Sequence, residues 1–353
     1  MKLSFKPLKD QVVVITGASS GIGLATARAA ARQGAKIVLV SRNDVALEAV
    51  TQQIQVRGCE AIHVTADVGL RDDVQRVADA AVSQFGRVDT WVNNAGVAIF
   101  GRIEEISDDD NSRLFQTNFW GVVYGSLVAL PLLKRQGGTL INVGSVVSDQ
   151  AVPLQGMYSA SKHAVKAFTD ALRMELAEEK APVSVTLIKP ASIDTPYPQH
   201  ARNYLEREPK LLAPVYAPEE VAKAILFAAT HAKRDIYVGG GGRAMSLMNR
   251  IAPPLMDQFG SRVLAKQQIR DEPPRDPEGA LHRAGSDGRV RGDHPGYVMS
   301  RSYYTRSSLH PMVSAAVLVG IGAVTYVLVR RRSGKSAAPV RALMRPPRQI
   351  TVH

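Results

Sequence analysis

The chain has 353 residues, 45% of them apolar, enough to bury a sizeable core, and one cysteine, Cys59, which excludes an intrachain disulfide and a thiolate metal cluster. The formal charge of +12 is uneven: seven Lys or Arg and no acid lie between Arg330 and His353, whereas residues 1–260 are close to neutral. With no basic stripe interleaved with aromatics, the composition argues against a nucleic-acid partner.

In chain order, the opening MKLSFKPLKD holds no apolar core of signal-peptide length and is read as the start of a cytosolic domain. Gln11–Thr16 (QVVVIT), Lys36–Ser41 (KIVLVS), Glu60–Thr65, Val88–Val92, Gly138–Val143 and Pro182–Ile188 are short runs rich in Val and Ile and predict buried strands. Helix-length segments Gly21–Gln33, Asp44–Arg57 and Leu70–Phe85 lie between them. This alternation predicts an α/β fold, a doubly wound parallel sheet covered on both faces, in one domain over residues 1–260. From 261 to 311 the chain is rich in Pro, Gly and charge and reads as a linker without a core. Residues 312–329, MVSAAVLVGIGAVTYVLV, are uncharged and closed by Arg330, Arg331 and Arg332. As a helix they would reach roughly 27 Å, just under a bilayer's hydrocarbon core, and predict a membrane anchor ahead of a basic tail, 330–353. A helix docked on protein is the other reading. The expectation is a membrane-associated protein, single-pass or monotopic, with its folded domain facing the cytoplasm, although the positive-inside rule would hold the basic tail on that same side.

TGASSGIG, residues 16–23, lies between the first strand and the first helix, where a dinucleotide fingerprint belongs. Gly17 and Gly21 allow a tight turn and close approach of backbone to a pyrophosphate, and Gly23 lets helix and strand pack closely; Ser19, Ser20 and Ile22 complete the loop. The helix N-terminus offers free N–H groups to phosphates. At the end of the second strand, VLVSRN places Ser41 where a carboxylate for the ribose 2′-OH of NAD would stand, and Arg42 where a cation could pair with the 2′-phosphate of NADP. That favours NADP(H) over NAD(H). Further on, GMYSASKHAV sets Tyr158 and Lys162 one helical turn apart, an ammonium placed to favour the phenolate.

The G-x-x-x-G-x-G spacing, Asn93-Asn94-Ala95-Gly96 after the fourth strand, and the Tyr158/Lys162 pair together resemble the short-chain dehydrogenase/reductase family over roughly residues 8–245. The resemblance implies Tyr158 as general acid/base and Lys162 as the partner that also binds the nicotinamide ribose. Ser145, thirteen residues before Tyr158, would hydrogen-bond the substrate oxygen, with Ser148 ranked behind it. Asn118, in QTNFWG, would hold a water linking the lysine to solvent; the other reading of it is a polar residue bending its helix. Asp67, with Val68 beside it, would contact adenine, and could also cap the helix starting near Leu70. Asn94, Ala95 and Gly96 would border the adenosine, and Pro190, Ile193 and Thr195 the nicotinamide amide. In KPASIDTP, Ala191 departs from the family's common glycine.

The expected activity is NADP(H)-dependent interconversion of a carbonyl and a primary or secondary alcohol. No metal is called for: Glu104, Glu105 and Asp108–Asp110 read as helix-start charges around a Ser107 cap. Residues 196–216 should form a lid over the substrate, and the anchor makes a lipophilic substrate the expectation. The family's habit of pairing the helices around Asn118 and Tyr158 suggests a homo-oligomer. Competing readings are a catalytically silent NADP(H)-binding sensor or scaffold at a membrane, and an epimerase or dehydratase on the same scaffold.

Overall fold

Seven short runs rich in Val, Ile and Thr become the strands of one sheet: β1 (Val12–Thr16), β2 (Lys36–Ser41), β3 (Ala61–Thr65), β4 (Thr90–Asn93), β5 (Gly138–Val143), β6 (Val183–Pro190) and β7 (Asp235–Val238). The computed structural model describes residues 4–285 and 288–309 together with Tyr326. All neighbouring strands run parallel, in the order β3-β2-β1-β4-β5-β6-β7. The order reverses between β1 and β4, so the crevice beyond the carboxyl ends of those two strands is the natural ligand site.

Alternation along β1 explains both layers. Val13 and Ile15 join Leu24, Ala27 and Ala30 of α1 (Gly21–Ala31), Leu47 and Val50 of α2 (Asp44–Gln55) and Val221 of α7 (Pro218–Ala228). Val12 and Val14 face the opposite cluster, with Val77 of α3 (Arg71–Phe85), Leu133 of α5 (Gly121–Gln136) and Leu172 of α6 (Gly156–Glu178). Fully burying one Val or Ile is worth about 1.5–3 kcal/mol, and all five residues of β1 are buried. Asn43 caps α2 by accepting from Ala46 N, and Ser107 caps α4 (Asp108–Phe115) by accepting from Asp110 N, as its spacing predicts.

Of the six expected strands, Lys36–Ser41 and Gly138–Val143 form at the expected bounds and the other four shift by one or two residues at their ends; β7, only four residues long, falls outside that expectation. The larger correction concerns the segment expected to be a linker. The chain divides into two units, Met1–Leu309 and His310–His353, so residues 261–309 belong with the sheet rather than between domains. Val298–Met299 pairs with Val215–Tyr216, and helix Tyr303–Leu309 buries Leu309 in the α1/α7 cluster. Isolated anchors such as Leu264, Leu281 and Leu309, spaced far apart among Pro, Gly and charge, give no periodic signal, yet each is buried. In the second unit only Tyr326, helical and exposed, is described; the expected anchor 312–329 and basic tail 330–353 otherwise lie outside the described residues. Among the described residues no helix is long and apolar enough to cross a membrane.

Docking of helix Tyr303–Leu309 turns on Glu220, buried in α7, which accepts from Ser302 N (2.9 Å), Arg306 (3.0 Å) and Lys223 (2.8 Å). Burial pushes its carboxyl up, but the bonds from Arg306, Lys223 and Ser302 outweigh that and hold it below the ordinary 4.5. Glu220→Gln should therefore cost about 1–3 kcal/mol at neutral pH. Because the folded value is depressed, the wild-type advantage is present above 4.5 and fades as pH falls through the folded value. Urea unfolding of both proteins at neutral and acidic pH checks it.

Candidate active site

The crevice is built from the ends of β1 and β4 outward. Thr16 Oγ1 accepts from Asn94 N (2.9 Å) and Ala95 N (3.0 Å) and donates to Val92 O (3.2 Å), while Asn94 Nδ2 donates to Thr16 O (2.8 Å). The loop between β1 and α1 must then fit under this junction. Gly17 has φ +67°, and a Cβ there would lie 2.8 Å from Ala95 Cα; a Cβ on Gly23 would lie 2.1 Å from Gly17 O. Ser20, at the N-cap of α1, makes no side-chain cap bond; of the first-turn N–H groups, Gly21 N donates to Arg289 O (2.8 Å).

On the opposite wall α6 presents Tyr158 and Lys162 on one face. Lys162 is buried, and its Nζ donates to Val143 O (3.0 Å) at the end of β5, 5.8 Å from the centre of the Tyr158 ring. Burial, with no paired carboxylate, pushes Lys162 down to about 8. Burial also pushes the Tyr158 phenol up to about 12, against hydrogen bonding toward Tyr197 and Ser145. The phenol is thus shifted in the direction opposite to the expected acidification, with burial as the largest cause. Ser145 caps the short turn Val146–Ser148, accepting from Val147 N and donating to Pro190 O (3.4 Å); Ser148, almost fully buried, binds back to Ser145 N. Ser148 is thus a brace for Ser145.

Asn118 lies behind the wall, fully buried in a π-helical turn, Gln116–Trp120. Its Oδ1 accepts from Val97 N (2.8 Å), and its Nδ2 donates to Val97 O (3.0 Å) and Ser161 Oγ (3.2 Å). Asp67 does not cap α3. It accepts from Gly69 N and pairs with Arg113, while Asp73 reaches back to Asp67 N. At the end of β2, Ser41 bonds Asn43 N (3.0 Å), and the half-buried Arg42 sits beside Arg113 and Asp67. Burial, then the neighbouring Arg113, holds Arg42 below its ordinary value, with Asp67 acting the other way. A buried cation under that stress would be stabilised by an anion. Ala191 needs no left-handed backbone; its N–H donates to Val238 O (2.8 Å), and the nearby Gly239 and Gly242 leave room for its methyl group.

One cavity of about 550 Å³ runs through the crevice, and every site residue singled out from the sequence lines it except Gly23, Asn118 and Ser148, which support its walls. Among the described residues, no group of three or more His, Cys, Asp or Glu is placed to hold a metal ion. Several lining groups escaped the sequence. Thr117 Oγ1 is buried on the wall without a hydrogen-bond partner among the described residues, a group suited to a polar ligand. Tyr197 packs edge-on against Tyr158 at 5.5 Å between ring centres and donates to Gln155 Oε1 (2.6 Å), which in turn is bonded to the buried Gln268. Thr117, next to Asn118, could have been found by spacing; Gln155, Tyr197 and Gln268 meet only by folding. The glycine cradle, the α1 N-terminus and the unpartnered Thr117 hydroxyl fit a dinucleotide.

The family model for short chain dehydrogenases matches residues 11–205. The chain belongs to the short-chain dehydrogenase/reductase family. Membership makes it an NAD(P)-dependent oxidoreductase acting on CH–OH groups. It is 48% identical over 325 residues to the uncharacterized oxidoreductase YxnA of Bacillus subtilis, covering 91% of each chain, so the likeness runs well past residue 205. Among solved structures it is similar to an alcohol dehydrogenase of the archaeon Thermococcus sibiricus complexed with 5-hydroxy-NADP (TM-score 0.57, 29% identity, 65% of this chain and 95% of that one). It is also similar to a short chain dehydrogenase/reductase of Burkholderia phymatum in complex with NAD (TM-score 0.65, 28% identity, 77% and 99%).

The burial of Lys162 gives a stability test. Its folded value, about 8, lies below the ordinary 10.5, so the cost of burying its charge is fully present below about 8 and is relieved as pH rises toward 10.5. Lys162→Met should raise the melting temperature at neutral pH by about 2–4 °C for each kcal/mol relieved, and the gap should close across that window. Thermal melts of both proteins between neutral pH and pH 10.5 check it.

Proposed function

We propose that this chain interconverts a carbonyl and a primary or secondary alcohol of a lipophilic substrate, using NADP(H) in preference to NAD(H), with Tyr158 as general acid/base. The observation that carries the reading is the convergence of Ser145, Tyr158 and Lys162 on a cavity that also runs to the glycine loop. The nicotinamide, when bound, supplies or accepts the hydride. Ser145 Oγ holds the substrate oxygen as charge develops on it. A phenol held at about 12 is protonated at neutral pH, the form that donates to that oxygen in the reductive direction. Lys162 binds the ribose from beneath, and Asn118 keeps the Val97 and Ser161 backing in register.

NADP preference rests on Arg42, whose buried charge has Arg113 beside it and no carboxylate of its own to bind among the described ion pairs. The lipophilic substrate is supported by the wall around Tyr158, where Val147, Val152, Leu212, Met245 and Leu264 pack together. A membrane attachment through residues 312–329, with the folded domain on the cytoplasmic side, belongs to the proposal on the sequence alone. Association of two copies through α5 and α6 also belongs to it, supported by the exposed Leu127 and Met174 and by Trp120 just before α5.

Titration of the full chain with NADPH and NADH, followed by coenzyme fluorescence, tests the coenzyme assignment. NADPH should bind more tightly, and Arg42→Ala should remove roughly 10- to 150-fold of that affinity, the worth of about 1.5–3 kcal/mol for a charge-assisted bond. Tyr158→Phe should bind NADPH like wild type yet lose about 100- to 10,000-fold in turnover of lipophilic ketones, aldehydes or alcohols. Wild-type binding without turnover of any of these would favour the scaffold reading.

A further inference from the structure

The segment read from sequence as a linker crosses the mouth of the crevice. Pro277–Gly285 lies against the end of β2, where Arg42 donates to Ala280 O (2.5 Å) and Leu281 O (3.1 Å), and Asn43 Nδ2 donates to Gly285 O (2.5 Å). Arg113 also donates to Leu281 O (3.2 Å). Gly288–Gly292 lies against the other bank, where Gly21 N, at the start of α1, donates to Arg289 O (2.8 Å). The cleft edges formed by the β2 and β1–α1 loops are therefore joined across the top by backbone carbonyls of one segment.

Both stretches are pegged. The Leu281 side chain is completely buried with Val97, Ile99, Ile106 and Leu114. His282 bonds Asp110 (2.7 Å), and Ala280 N donates to His200 O (2.8 Å). At the far end Arg291 pairs with Glu219 (2.9 Å) and lies 3.7 Å from Asp194, next to the cavity-lining Thr195. Yet the segment does not fill the cleft. Among its described residues it contributes Ala280, Ala284, Gly285 and Gly288 to the cavity wall, none with a side chain larger than a methyl group. A surface of that kind can lie flat over a nucleotide. Two carbonyls also use only two of Arg42's five N–H donors, aligning the guanidinium while leaving three for an anion.

We propose that Pro277–Gly285 and Gly288–Gly292 form a roof, in cis, over the adenosine half of the coenzyme site. The roof positions Arg42 and must detach from the cleft edges before coenzyme can enter or leave. This rests on the coenzyme reading above. Exchange is then governed by local opening of the roof, a partial unfolding that breaks the Arg42, Asn43 and Gly21 bonds together. Weakening a peg eases that opening and should therefore speed both entry and release, and release is the step read here.

The test uses the full chain and NADPH. Stopped-flow release of NADPH should be at least 10-fold faster from Leu281→Asp and 2- to 5-fold faster from Arg291→Ala, a half-exposed peg whose loss leaves the core intact. Melting of each variant without coenzyme establishes that it is folded. In the wild-type protein, hydrogen exchange of the amides of 277–285 and 288–292 should slow at least 10-fold when NADPH is bound. Binding of NADPH with unchanged exchange there, or folded variants that release it at the wild-type rate, overturns the roof and leaves the coenzyme reading intact. A folded wild-type chain that binds neither NADPH nor NADH overturns the coenzyme reading, and the roof with it.

Discussion

The Thr16 hydroxyl, shared between Val92 O and the N–H groups of Asn94 and Ala95, sets the distance between the ends of β1 and β4, and the rest of the site takes its geometry from that spacing. With the junction closed, the turn after β1 has no room for a side chain at Gly17, and α1 can begin only if Gly23 lies directly over Gly17 O. The start of α1 is thereby aimed across the crevice. Behind it, Asn93 is bonded to Asn142, Ser126 and Trp91, so β4 is locked to β5 by a fully buried polar network. That network also holds Val143, whose carbonyl receives Lys162.

Burial decides the electrostatics. Tyr158 and Lys162 are neighbours on α6, and in water an ammonium at that distance would favour the phenolate. Removed from water, each group is driven toward its neutral form, the phenol upward and the ammonium downward. The pair is therefore poised as a proton donor beside a lysine whose charge is costly, and Ser145 and Tyr197 are the polar groups left to meet the phenol. Arg42 follows the same logic at the other end of the cavity: a cation lodged beside a second arginine, in a place that suits an anion.

The C-terminal part of the compact unit adds a second layer of constraint. Gln268 is bonded to Gln155 beneath Tyr197, Leu281 is inserted beside α4, and Glu220 holds helix Tyr303–Leu309. The segment thus supports the reacting end of the cavity from one side and covers the nucleotide end from the other. Its contacts combine backbone carbonyls, single buried side chains and ion pairs such as Arg275 with Glu208 and Arg270 with Asp293, which is why a chain so rich in Pro, Gly and charge can be ordered without a core of its own.

By itself, the sequence determined the parallel sheet, because its Val- and Ile-rich runs are separated by crossover-length helices. It also determined the glycine turn after β1, because glycines at that spacing allow the close approach of backbone to backbone seen at Gly17 and Gly23, and the pairing of Tyr158 with Lys162, because residues four apart on a helix share a face. These are local or periodic relations, and they can be read from spacing alone. Only the tertiary structure decided that Asn118 braces Val97 and Ser161, that Asp67 pairs with Arg113 instead of capping α3, and that Gln155, Tyr197 and Gln268 meet beside Tyr158. It also decided that the phenol is raised rather than lowered, and that residues 277–285 and 288–292 lie against the edges of the crevice. Each of these depends on how much water is excluded and on which distant segments are brought together, and neither quantity is written in the spacing of residues along one stretch of chain.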